Sequence, residues 1–420
     1  MGCNTRLHFE VVVPRGAAGA DSMLVVQQYA LPPSEPGGTR QFELATIFRA
    51  AGWKVRIYAS DFSHLEKRFF RRSSDRSRRT FDVVEQGVPF TYVWVPPYER
   101  NNWRRSLSMA WFSARAFFQV VACRERVIYA SSPHLFGCFA SFVAARLRRK
   151  AFVLEVRDLW PEHLAAVDPS MQGGRLFKLI GHLANILYAR AELIVLFAEG
   201  SRAVVNGRGG SDDRIVVVTG VEVPEPVPHQ PGPKGGPTRF VYLGSIGPMY
   251  GLDMVISACE LLAESRTGQF SVTFIGNGPD KERLEGRAHA KGLEMVEFCA
   301  PVAKAEIYTT LADFDAGLLS FLPGEMFSFG ISPQKMFDYM AVDLPIVSNV
   351  HGEVAATVEI ANAGVTAKEQ TSSSLAEAME YCIDHAATLR DEFSGGRTYL
   401  TEHANRSAMV LSLVDRIALL

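Results

Sequence analysis

The sequence predicts an α/β protein with two domains, each built on a doubly wound parallel sheet, and with a C-terminal helix that returns to the N-terminal domain. Short β-rich segments alternate with longer segments of helical periodicity, which is typical of βαβ units. The alternation stops at residues 223–238, which contain six prolines and three glycines, and then resumes. With 420 residues, of which 47% are hydrophobic, the chain is long enough for two domains.

Strands are predicted where β-branched and aromatic residues form short runs, and helices where apolar residues recur three or four positions apart. The N-terminal elements are strand Met23–Tyr29, helix Thr39–Ala51, strands Lys54–Ala59 and Arg126–Ala130, helix Pro133–Arg149, and strands Phe152–Val156 and Leu193–Phe197. The C-terminal elements are strand Phe240–Leu243, helix Leu252–Glu264, strand Ser271–Ile275, helix Lys281–Lys291, strands Val296–Cys299 and Gly317–Leu319, helix Pro333–Ala341, strand Ile346–Ser348 and the helical segment Gly395–Leu420.

These elements define the expected domains. Residues 1–22 are expected to be an N-terminal extension, because Met23 begins a better first strand than Met1 does. Residues 23–222 form the N-terminal domain and residues 223–238 the linker, because closely spaced prolines remove backbone donors and helical geometry. Residues 239–395 form the C-terminal domain, and residues 396–420 form the helix that crosses back.

The charge is divided unequally between the halves. Residues 1–200 contain 27 lysines and arginines against 17 acidic residues, whereas residues 201–420 contain 17 against 28. A basic domain favours an anionic partner such as a phosphate-bearing lipid, a membrane surface or nucleic acid. The six cysteines are scattered singly, which disfavours a disulfide framework or structural zinc. No segment has the length and apolarity of a membrane span, and we expect a cytoplasmic protein.

Glycine-rich loops follow predicted strands in both halves. Gly37, Gly38 and Thr39 lie between the first strand and a helix, where the backbone can approach an anion; a simple tight turn explains the same pattern. In the second half, Gly244 follows one strand, and Gly276 and Gly278 follow the next. Ligands of open α/β sheets bind at the carboxyl ends of the strands, so these two loops together favour a nucleotide crevice.

The segment around Ser332 carries polar residues at the start of a predicted helix. Ser332 is expected to be the N-cap, with Pro333 in the first helical position, and Ser132 and Pro133 are expected to begin an earlier helix in the same way. Lys335 and Asp338 then lie three residues apart on one face. The free backbone N–H groups and Lys335 could hold a diphosphate, while Asp338 could accept hydrogen bonds from a sugar diol. The alternative is an ordinary exposed Lys–Asp pair.

Motifs in order along the chain identify a family resemblance. The C-terminal segments GSIGPMYGLD (244–253), IGNGPDKERLE (275–285) and FGISPQKMFDYMA (329–341) resemble the nucleotide-binding domain of family 4 retaining glycosyltransferases. These enzymes have the GT-B fold, in which two Rossmann-like domains face a cleft. The resemblance extends from about Met23 to Ala408 and implies a nucleotide-sugar donor, which we expect to be UDP-linked, with no other cofactor.

Motifs in the N-terminal half resemble one particular branch of this glycosyltransferase family. The segments QQYALPPSEPGGTRQFELA (27–45), SSPHLFG (131–137) and EVRDLWPEH (155–163) are similar to the branch that builds bacterial O-antigen and capsule repeat units, including N-acetyl-fucosamine transferases. Such a relationship implies a polyprenyl-diphosphate-linked acceptor and a peripheral location at the inner face of the membrane. It implies no nucleic-acid partner.

The resemblance assigns roles to several residues. Gly37 and Gly38 would border the donor diphosphate, and Asp338, the second acidic position of the family's Glu-x7-Glu motif, would bind the donor ribose. The first acidic position falls on Gly330, which has no carboxylate. Where many relatives have a Lys-Gly pair that grips the diphosphate, this chain has Tyr250-Gly251, so Lys335 is the expected cation.

The segment EVRDLWPEH contributes acidic groups at the end of a strand. We expect Asp158 to position the acceptor hydroxyl or to stabilise an oxocarbenium-like centre, and the alternative is a buried structural pair with Arg157. A metal site is not expected, because the GT-B fold that this chain resembles usually stabilises its leaving diphosphate without a divalent ion. In the family's front-face mechanism, the leaving phosphate oxygen takes the acceptor's proton, and the protein orients the reactants and neutralises charge.

Basic and aromatic residues concentrate at residues 67–79 and 98–118. The second run is a helical pattern in which aromatic and basic side chains alternate, as an interfacial helix requires; its acceptor and membrane candidates are Trp103, Arg104, Arg105, Trp111 and Arg115. A solvated basic loop or a half-buried core helix is the alternative.

The expected function is that of a retaining hexosyltransferase acting in surface polysaccharide assembly. A nucleotide-sugar epimerase with the same fold, or a non-catalytic nucleotide-sugar-binding protein, remains an alternative.

Overall fold

The chain folds around two separate β-sheets, one in each half. The computed structural model describes residues 21–35, 39–64, 66–70, 80–100, 102–163, 169–324 and 331–420. The predicted α/β class and the two doubly wound parallel sheets are confirmed. Residues 1–20 of the proposed N-terminal extension, Gly37, Gly38, Gly330 and the basic run 71–79 lie outside the described residues.

The N-terminal sheet has eight strands in the order β3-β4-β2-β1-β5-β6-β7-β8. They are parallel except for β3, which forms an antiparallel hairpin with β4. The strands are β1 Ser22–Val26, β2 Lys54–Ser60, β3 Thr80–Glu85, β4 Val88–Val93, β5 Val127–Ser131, β6 Ala151–Val156, β7 Leu193–Leu196 and β8 Ile215–Val217. The helices are α1 Arg40–Ala50, α2 Trp103–Ala122, α3 Leu135–Leu147, α4 Arg175–Arg190 and α5 Ser201–Gly207.

The C-terminal sheet has six parallel strands in the order β11-β10-β9-β12-β13-β14. They are β9 Thr238–Leu243, β10 Phe270–Ile275, β11 Val296–Cys299, β12 Ala316–Leu319, β13 Ile346–Ser348 and β14 Gly364–Thr366. The helices of this half are α6 Leu252–Ala263, α7 Lys281–Ala290, α8 Ile307–Leu311, α9 Gln334–Met340, α10 Glu353–Ile360, α11 Ser372–Asp384, α12 Leu389–Glu392, α13 Gly396–His403 and α14 Arg406–Ala418.

Both sheets change winding direction beside their first strand. In the N-terminal sheet β1 lies between β2 and β5, and in the C-terminal sheet β9 lies between β10 and β12. Loops diverge at such switch points and leave a crevice at the carboxyl ends of the strands. The loop after β9 begins at Gly244, and the loop after β1 leads through Thr39 into α1. The topology therefore provides a potential crevice at the carboxyl end of each sheet.

The C-terminal segment crosses between the domains, as predicted, but it consists of two helices. Helix α13 packs on α9, where a side chain at Gly396 would lie 3.0 Å from Met340 Cα. The chain then turns at Asn405, whose side chain caps α14 by accepting a hydrogen bond from the Ala408 N–H at 3.1 Å. Helix α14 packs on α1 and adds four buried side chains to the N-terminal core: Val410, Leu413, Val414 and Ile417.

Two predicted helix starts are wrong. The N-cap position of α9 is Pro333 and that of α3 is His134, so neither Ser332 nor Ser132 caps a helix. Each hydroxyl is engaged elsewhere: Ser332 with Thr219, and Ser132 by accepting a hydrogen bond from the Arg157 N–H at 2.8 Å. Long-range contacts therefore use the groups that the local pattern assigned to capping.

Among the described helices, none combines the length and apolarity that crossing a membrane would require.

Candidate active site

The two glycine loops of the C-terminal sheet pack against each other through their backbones. A Cβ atom at Gly276 would lie 1.8 Å from the Gly244 carbonyl oxygen, and one at Gly278 would lie 2.0 Å from the Ile246 carbonyl oxygen. The Ile246 N–H donates to the Asn277 carbonyl at 2.9 Å. Gly276 and Gly278 are therefore required for close packing of the loops, since any side chain would separate them.

Gly244 faces Lys335. It has a φ of +130°, and a Cβ atom there would lie 3.5 Å from the Lys335 Nζ atom. The glycine thus leaves the space next to the ammonium free of a side chain. This arrangement brings two predicted donor-site residues together at the switch point of the sheet.

Lys335 lies in an aromatic cage. Its ammonium donates to the Tyr242 hydroxyl at 2.6 Å and lies 3.8 Å from the Tyr242 ring centre, 4.4 Å from that of Tyr250 and 5.9 Å from that of Phe321. Burial lowers the pKa of Lys335 to about 7, although the charge of Asp338 opposes this shift. Within the described residues Lys335 forms no ion pair. Cation–π contacts hold the charge in place without neutralising it.

Asp338 lies on the same helix but contacts a different group. Its Oδ1 atom accepts a hydrogen bond from the Tyr308 hydroxyl at 3.4 Å. Burial raises the pKa of Asp338 to about 6, against the opposing effect of Arg406. Lys335 is 9% exposed and Asp338 8% exposed, so the alternative of an ordinary exposed pair is wrong.

A polar bridge joins the domains beside this helix. Lys304 donates to Thr39 Oγ1 at 2.8 Å and forms an ion pair with Glu43, which also pairs with Arg406. Arg406 donates to the Gln334 side-chain oxygen at 2.6 Å. Burial raises the pKa of Glu43, but the two cations outweigh it and lower this pKa to about 2. Thr39, a predicted donor-site residue, is therefore part of an interdomain contact.

The acidic residues in and just after β6 have different surroundings: two are held in ion pairs, and one is partly exposed. Glu155 is fully buried and pairs with Arg40 at 2.7 Å, and Glu162 pairs with Arg208 at 2.8 Å. Asp158 forms no ion pair with Arg157 among the described residues; its side chain is 34% exposed, and its Oδ1 atom lies 3.8 Å from His163 Nδ1. The predicted alternative of a buried Arg157–Asp158 pair is therefore wrong.

Asp158 lies opposite the C-terminal loops. Burial raises the pKa of Tyr250, and the negative charge of Asp158 raises it further. Since Tyr250 also covers Lys335, the charge of Asp158 in the N-terminal domain acts on an aromatic side chain that contacts Lys335. Two predicted catalytic residues are thus on opposite sides of the cleft.

The predicted acceptor and membrane residues of helix α2 lie on two faces, one exposed to solvent and one packed against the rest of the domain. Trp103 is 69% exposed, and Arg104 lies 5.7 Å from the centre of its ring. Arg115 instead donates to Thr80 Oγ1 at 2.6 Å, and Trp111 packs edge-on against Trp94. Arg105 is half-buried. Only the first turn of the helix therefore presents the predicted combination of charge and apolar surface to solvent.

Sequence comparisons agree with this architecture. Residues 225–394 match the family described as "Glycosyl transferases group 1", and residues 37–220 match the "Glycosyl transferase 4-like domain". Together these two matches support a GT-B glycosyltransferase of group 1. Each half of this glycosyltransferase thus matches the domain type expected on its side of a GT-B cleft.

Individual relatives are distant. The chain is 22% identical over 308 residues to WbjE of Pseudomonas aeruginosa, which is named as a glycosyltransferase. The alignment covers 67% of this chain and 76% of WbjE. It is 25% identical over 227 residues to WcaL of Salmonella typhimurium, which is named as a colanic acid biosynthesis glycosyltransferase. This alignment covers 53% of this chain and 55% of WcaL. Polysaccharide biosynthesis is thus represented among its relatives.

Solved structures show the same GT-B fold. Sucrose-phosphate synthase from Thermosynechococcus elongatus superposes with a TM-score of 0.72 at 13% identity, covering 95% of this chain and 98% of the other. HepE from Anabaena, in complex with UDP and glucose, superposes with a TM-score of 0.66 at 15% identity, covering 95% and 99%. At this identity the likeness establishes the fold.

Sequence patterns did not indicate four of the site residues: Glu43, Lys304, Tyr308 and Arg406. Glu43 and Arg406 are 363 positions apart, and local periodicity carries no information about such a pair. One indirect indication of the Glu43–Arg406 pair was available: the C-terminal segment, which contains Arg406, was expected to return to the N-terminal domain.

Proposed function

We propose that the protein is a retaining hexosyltransferase that transfers a sugar from a UDP-sugar to a polyprenyl-diphosphate-linked saccharide during surface polysaccharide assembly. The observation that carries this proposal is the position of Lys335. A buried ammonium without an ion-pair partner among the described residues lies next to Gly244 at the sheet's switch point, where α/β folds bind nucleotides.

Lys335 would bind the donor diphosphate. In the family that this chain resembles, a Lys-Gly pair often grips this group, and the chain has Tyr250-Gly251 instead. Tyr250 stands where many relatives have the lysine, and it is part of the aromatic cage around Lys335. The replacement at position 250 therefore contacts the cation that we propose takes over the role of that lysine. Asp338 would accept hydrogen bonds from the ribose, and a solved complex of HepE with UDP-glucose supports a uridine nucleotide.

The reaction would need no protein base. The bond between the anomeric carbon and the β-phosphate oxygen breaks, the acceptor oxygen bonds to the same face of that carbon, and the acceptor's proton passes to the leaving phosphate. Lys335 would neutralise the charge that develops on this phosphate, and Asp158 would orient the acceptor hydroxyl or stabilise the oxocarbenium-like centre. Their positions near Tyr250 support this division of roles.

The exposed surface of α2, α3 and α4 supports a lipid-linked acceptor at the inner face of the membrane. Seven exposed apolar side chains lie on these helices: Trp103, Leu107, Phe118, Val143, Leu147, Leu176 and Leu179. Exposed basic residues accompany them, including Arg104, Arg148, Arg149 and Lys178. Apolar side chains surrounded by cations suit a surface that contacts anionic head groups.

The test is UDP release from a panel of UDP-sugars, with and without a prenyl-diphosphate-linked saccharide, with the product anomer assigned by NMR. We expect release that depends on the acceptor and a product with the donor's anomeric configuration. Lys335→Met should abolish release, whereas Lys291→Met, which changes an exposed lysine, should not. Conversion of a UDP-sugar to its epimer without acceptor would favour the epimerase, and an inverted product would contradict the retaining mechanism.

A further inference from the structure

A second group of polar side chains lies at the carboxyl edge of the N-terminal sheet. We call it the His64 cluster, and it consists of Tyr29, His64, Lys67, Tyr98 and Arg105. Tyr29 follows β1, His64 and Lys67 follow β2, Tyr98 follows β4, and Arg105 lies in the first turn of α2. The cluster is thus at the ligand-binding edge of a parallel sheet, next to the exposed start of α2.

His64 is the centre of the cluster. Its Nδ1 atom lies 2.8 Å from the Tyr98 hydroxyl and 3.2 Å from the Lys67 ammonium. An ammonium can only donate, so Nδ1 accepts and the ring proton is on Nε2. Burial, with the charges of Arg105 and Lys67, lowers the pKa of His64 to about 4, and the ring is neutral at pH 7. The Nε2–H group makes no hydrogen bond to any described residue and is available as a donor.

Lys67 is held in a strained backbone conformation. Its φ is +55°, a left-handed conformation that is unfavourable for a residue other than glycine. Its N–H donates to the Ser63 carbonyl at 3.0 Å, and its ammonium lies 5.1 Å from the Tyr98 ring centre. Lys67 has no ion pair within the described residues, whereas the adjacent Arg68 pairs with both Glu35 and Glu66. The backbone therefore positions a cation that forms no ion pair with any of the described residues.

Arg105 adds a second positive charge. Burial lowers the pKa of Lys67, and the nearby guanidinium of Arg105 lowers it further. The same guanidinium contributes to lowering the pKa of His134, for which burial is the larger cause. Like charges in a partly buried site repel each other, and a bound anion would interact favourably with both cations. The electrostatics of the cluster therefore fit a phosphate ligand.

Two buried acceptors adjoin the elements that form the cluster, and neither has a hydrogen-bond partner among the described residues. Gln28 is 1% exposed and its Oε1 atom has no hydrogen-bond partner, while its Nε2 donates to Ser108 Oγ, one turn of α2 beyond Arg105, at 3.3 Å. His134 is 3% exposed and its Nδ1 atom is likewise unpartnered. Unsatisfied buried acceptors are costly, and hydroxyl groups of a ligand would satisfy them.

We propose that the His64 cluster binds the phosphate group of the acceptor, with Lys67 and Arg105 supplying the charge and His64 Nε2 donating a hydrogen bond. Gln28 and His134 would accept hydrogen bonds from hydroxyls of the attached sugar. This inference rests on the proposed function, since it places the lipid-linked acceptor. It also explains how one end of α2 serves two purposes: its exposed face meets the membrane, and its inward face meets the phosphate at the membrane boundary.

Farnesyl diphosphate is a suitable probe, because it has a prenyl diphosphate but no saccharide. Binding is measured by calorimetry on the full chain saturated with UDP, so that the donor site is occupied. We expect the wild-type protein to bind the probe and Lys67→Ala to weaken binding about 10-fold or more, the usual effect of losing a charge-assisted hydrogen bond. Lys67→Arg should retain most of the affinity, and Arg68→Ala, the matched control, should behave as wild type.

A glycine variant separates binding from folding. Lys67→Gly relieves the positive φ and should leave the melting temperature unchanged or higher, yet it should weaken binding as Lys67→Ala does. UDP affinity should be unchanged in every variant, so a failure of the donor-site proposal would be seen separately as absent UDP binding by the wild type.

Three results would overturn the assignment. The first is wild-type affinity for farnesyl diphosphate in both Lys67→Ala and Lys67→Gly, and the second is equal loss in Lys67→Ala and Arg68→Ala. The third is a dependence on Lys67 in flotation with phosphatidylglycerol vesicles but not in diphosphate binding, since this would identify a head-group contact.

Discussion

The ammonium group of Lys335 lies 3.8 Å from the centre of the Tyr242 ring and also donates a hydrogen bond to the hydroxyl of that tyrosine. The aromatic face and the phenol oxygen therefore stabilise one cation from two directions. A donor diphosphate that approaches over Gly244 would meet a positive charge whose position is already fixed, which limits the ordering cost of binding.

Replacing this cation should weaken nucleotide binding. Lys335→Met keeps the length of the side chain and removes its charge. We expect UDP affinity to fall about 10- to 100-fold, the range for losing a hydrogen bond to a charged group, as measured by calorimetry. Lys291→Met is the control, and equal UDP affinities of Lys335→Met and the wild type would contradict the assignment.

Nucleotide binding should also be linked to protons. The pKa of Lys335 in the free protein is about 7, so at pH 8 most of the side chain is neutral. A bound diphosphate favours the charged form, and UDP binding at pH 8 should therefore take up close to one proton. Calorimetry in buffers of different ionisation enthalpy measures this number, which should be near zero in Lys335→Met. Uptake that persists in this variant would place the titrating group elsewhere.

Asp338 gives a test of the ribose contact. Asp338→Ala should weaken UDP binding by about 1–3 kcal/mol, because it removes a carboxylate that accepts hydrogen bonds from a diol. Asp313→Ala, at an exposed position of the same domain, serves as the control. An unchanged affinity for UDP would reject the role of Asp338.

The bridge at Glu43 should stabilise the protein in a pH-dependent way. The pKa of Glu43 is about 2 in the folded protein, against an ordinary value of 4.5, so the ionised form favours folding. Glu43 should contribute up to about 3 kcal/mol above pH 4.5, and this contribution should disappear as the pH falls towards 2. Melting temperatures of wild type and Glu43→Gln should differ at pH 7 and converge in acid. A constant difference would indicate that the ion pairs are not its cause.

The exposed start of α2 predicts membrane affinity. The double variant Trp103→Ser with Arg104→Ser should reduce co-flotation with phosphatidylglycerol vesicles, since each surface arginine contributes about 1 kcal/mol to binding an anionic leaflet. Lys234→Ser removes an exposed charge from the linker region and should have little effect. Equal flotation of the double variant and the wild type would place the membrane contact on another surface.

The sequence predicted features that depend on local chemistry. The glycines after β9 and β10 stood out because a strand that ends in glycine allows close backbone approach, and the structure has Gly276 against Gly244. The β3–β4 hairpin was missed although Gln86 and Gly87, which both have positive φ, mark its turn. The dipeptides that most strongly predict such a hairpin turn are Asn-Gly and Asp-Gly, and Gln-Gly is a much weaker signal in a single sequence.

Long-range pairs explain the remaining differences. Ser332 was expected to cap a helix, but a threonine 113 positions earlier engages its hydroxyl. Glu155 belongs to the same acidic segment as Asp158, but Arg40 neutralises it in the core. The partner of a charged or hydroxyl side chain depends on how the sheets are assembled, and spacing within one segment does not encode that choice.

Two segments connect the domains, and they are bonded to each other. The Arg406 N–H donates to the Val221 carbonyl at 3.1 Å, and a Cβ atom at Gly220 would lie 1.8 Å from the Ala404 carbonyl oxygen. Because these contacts join the two segments, any opening of the cleft would have to bend both of them at this point. A side chain at position 220 would clash with the Ala404 carbonyl and separate the two connecting segments.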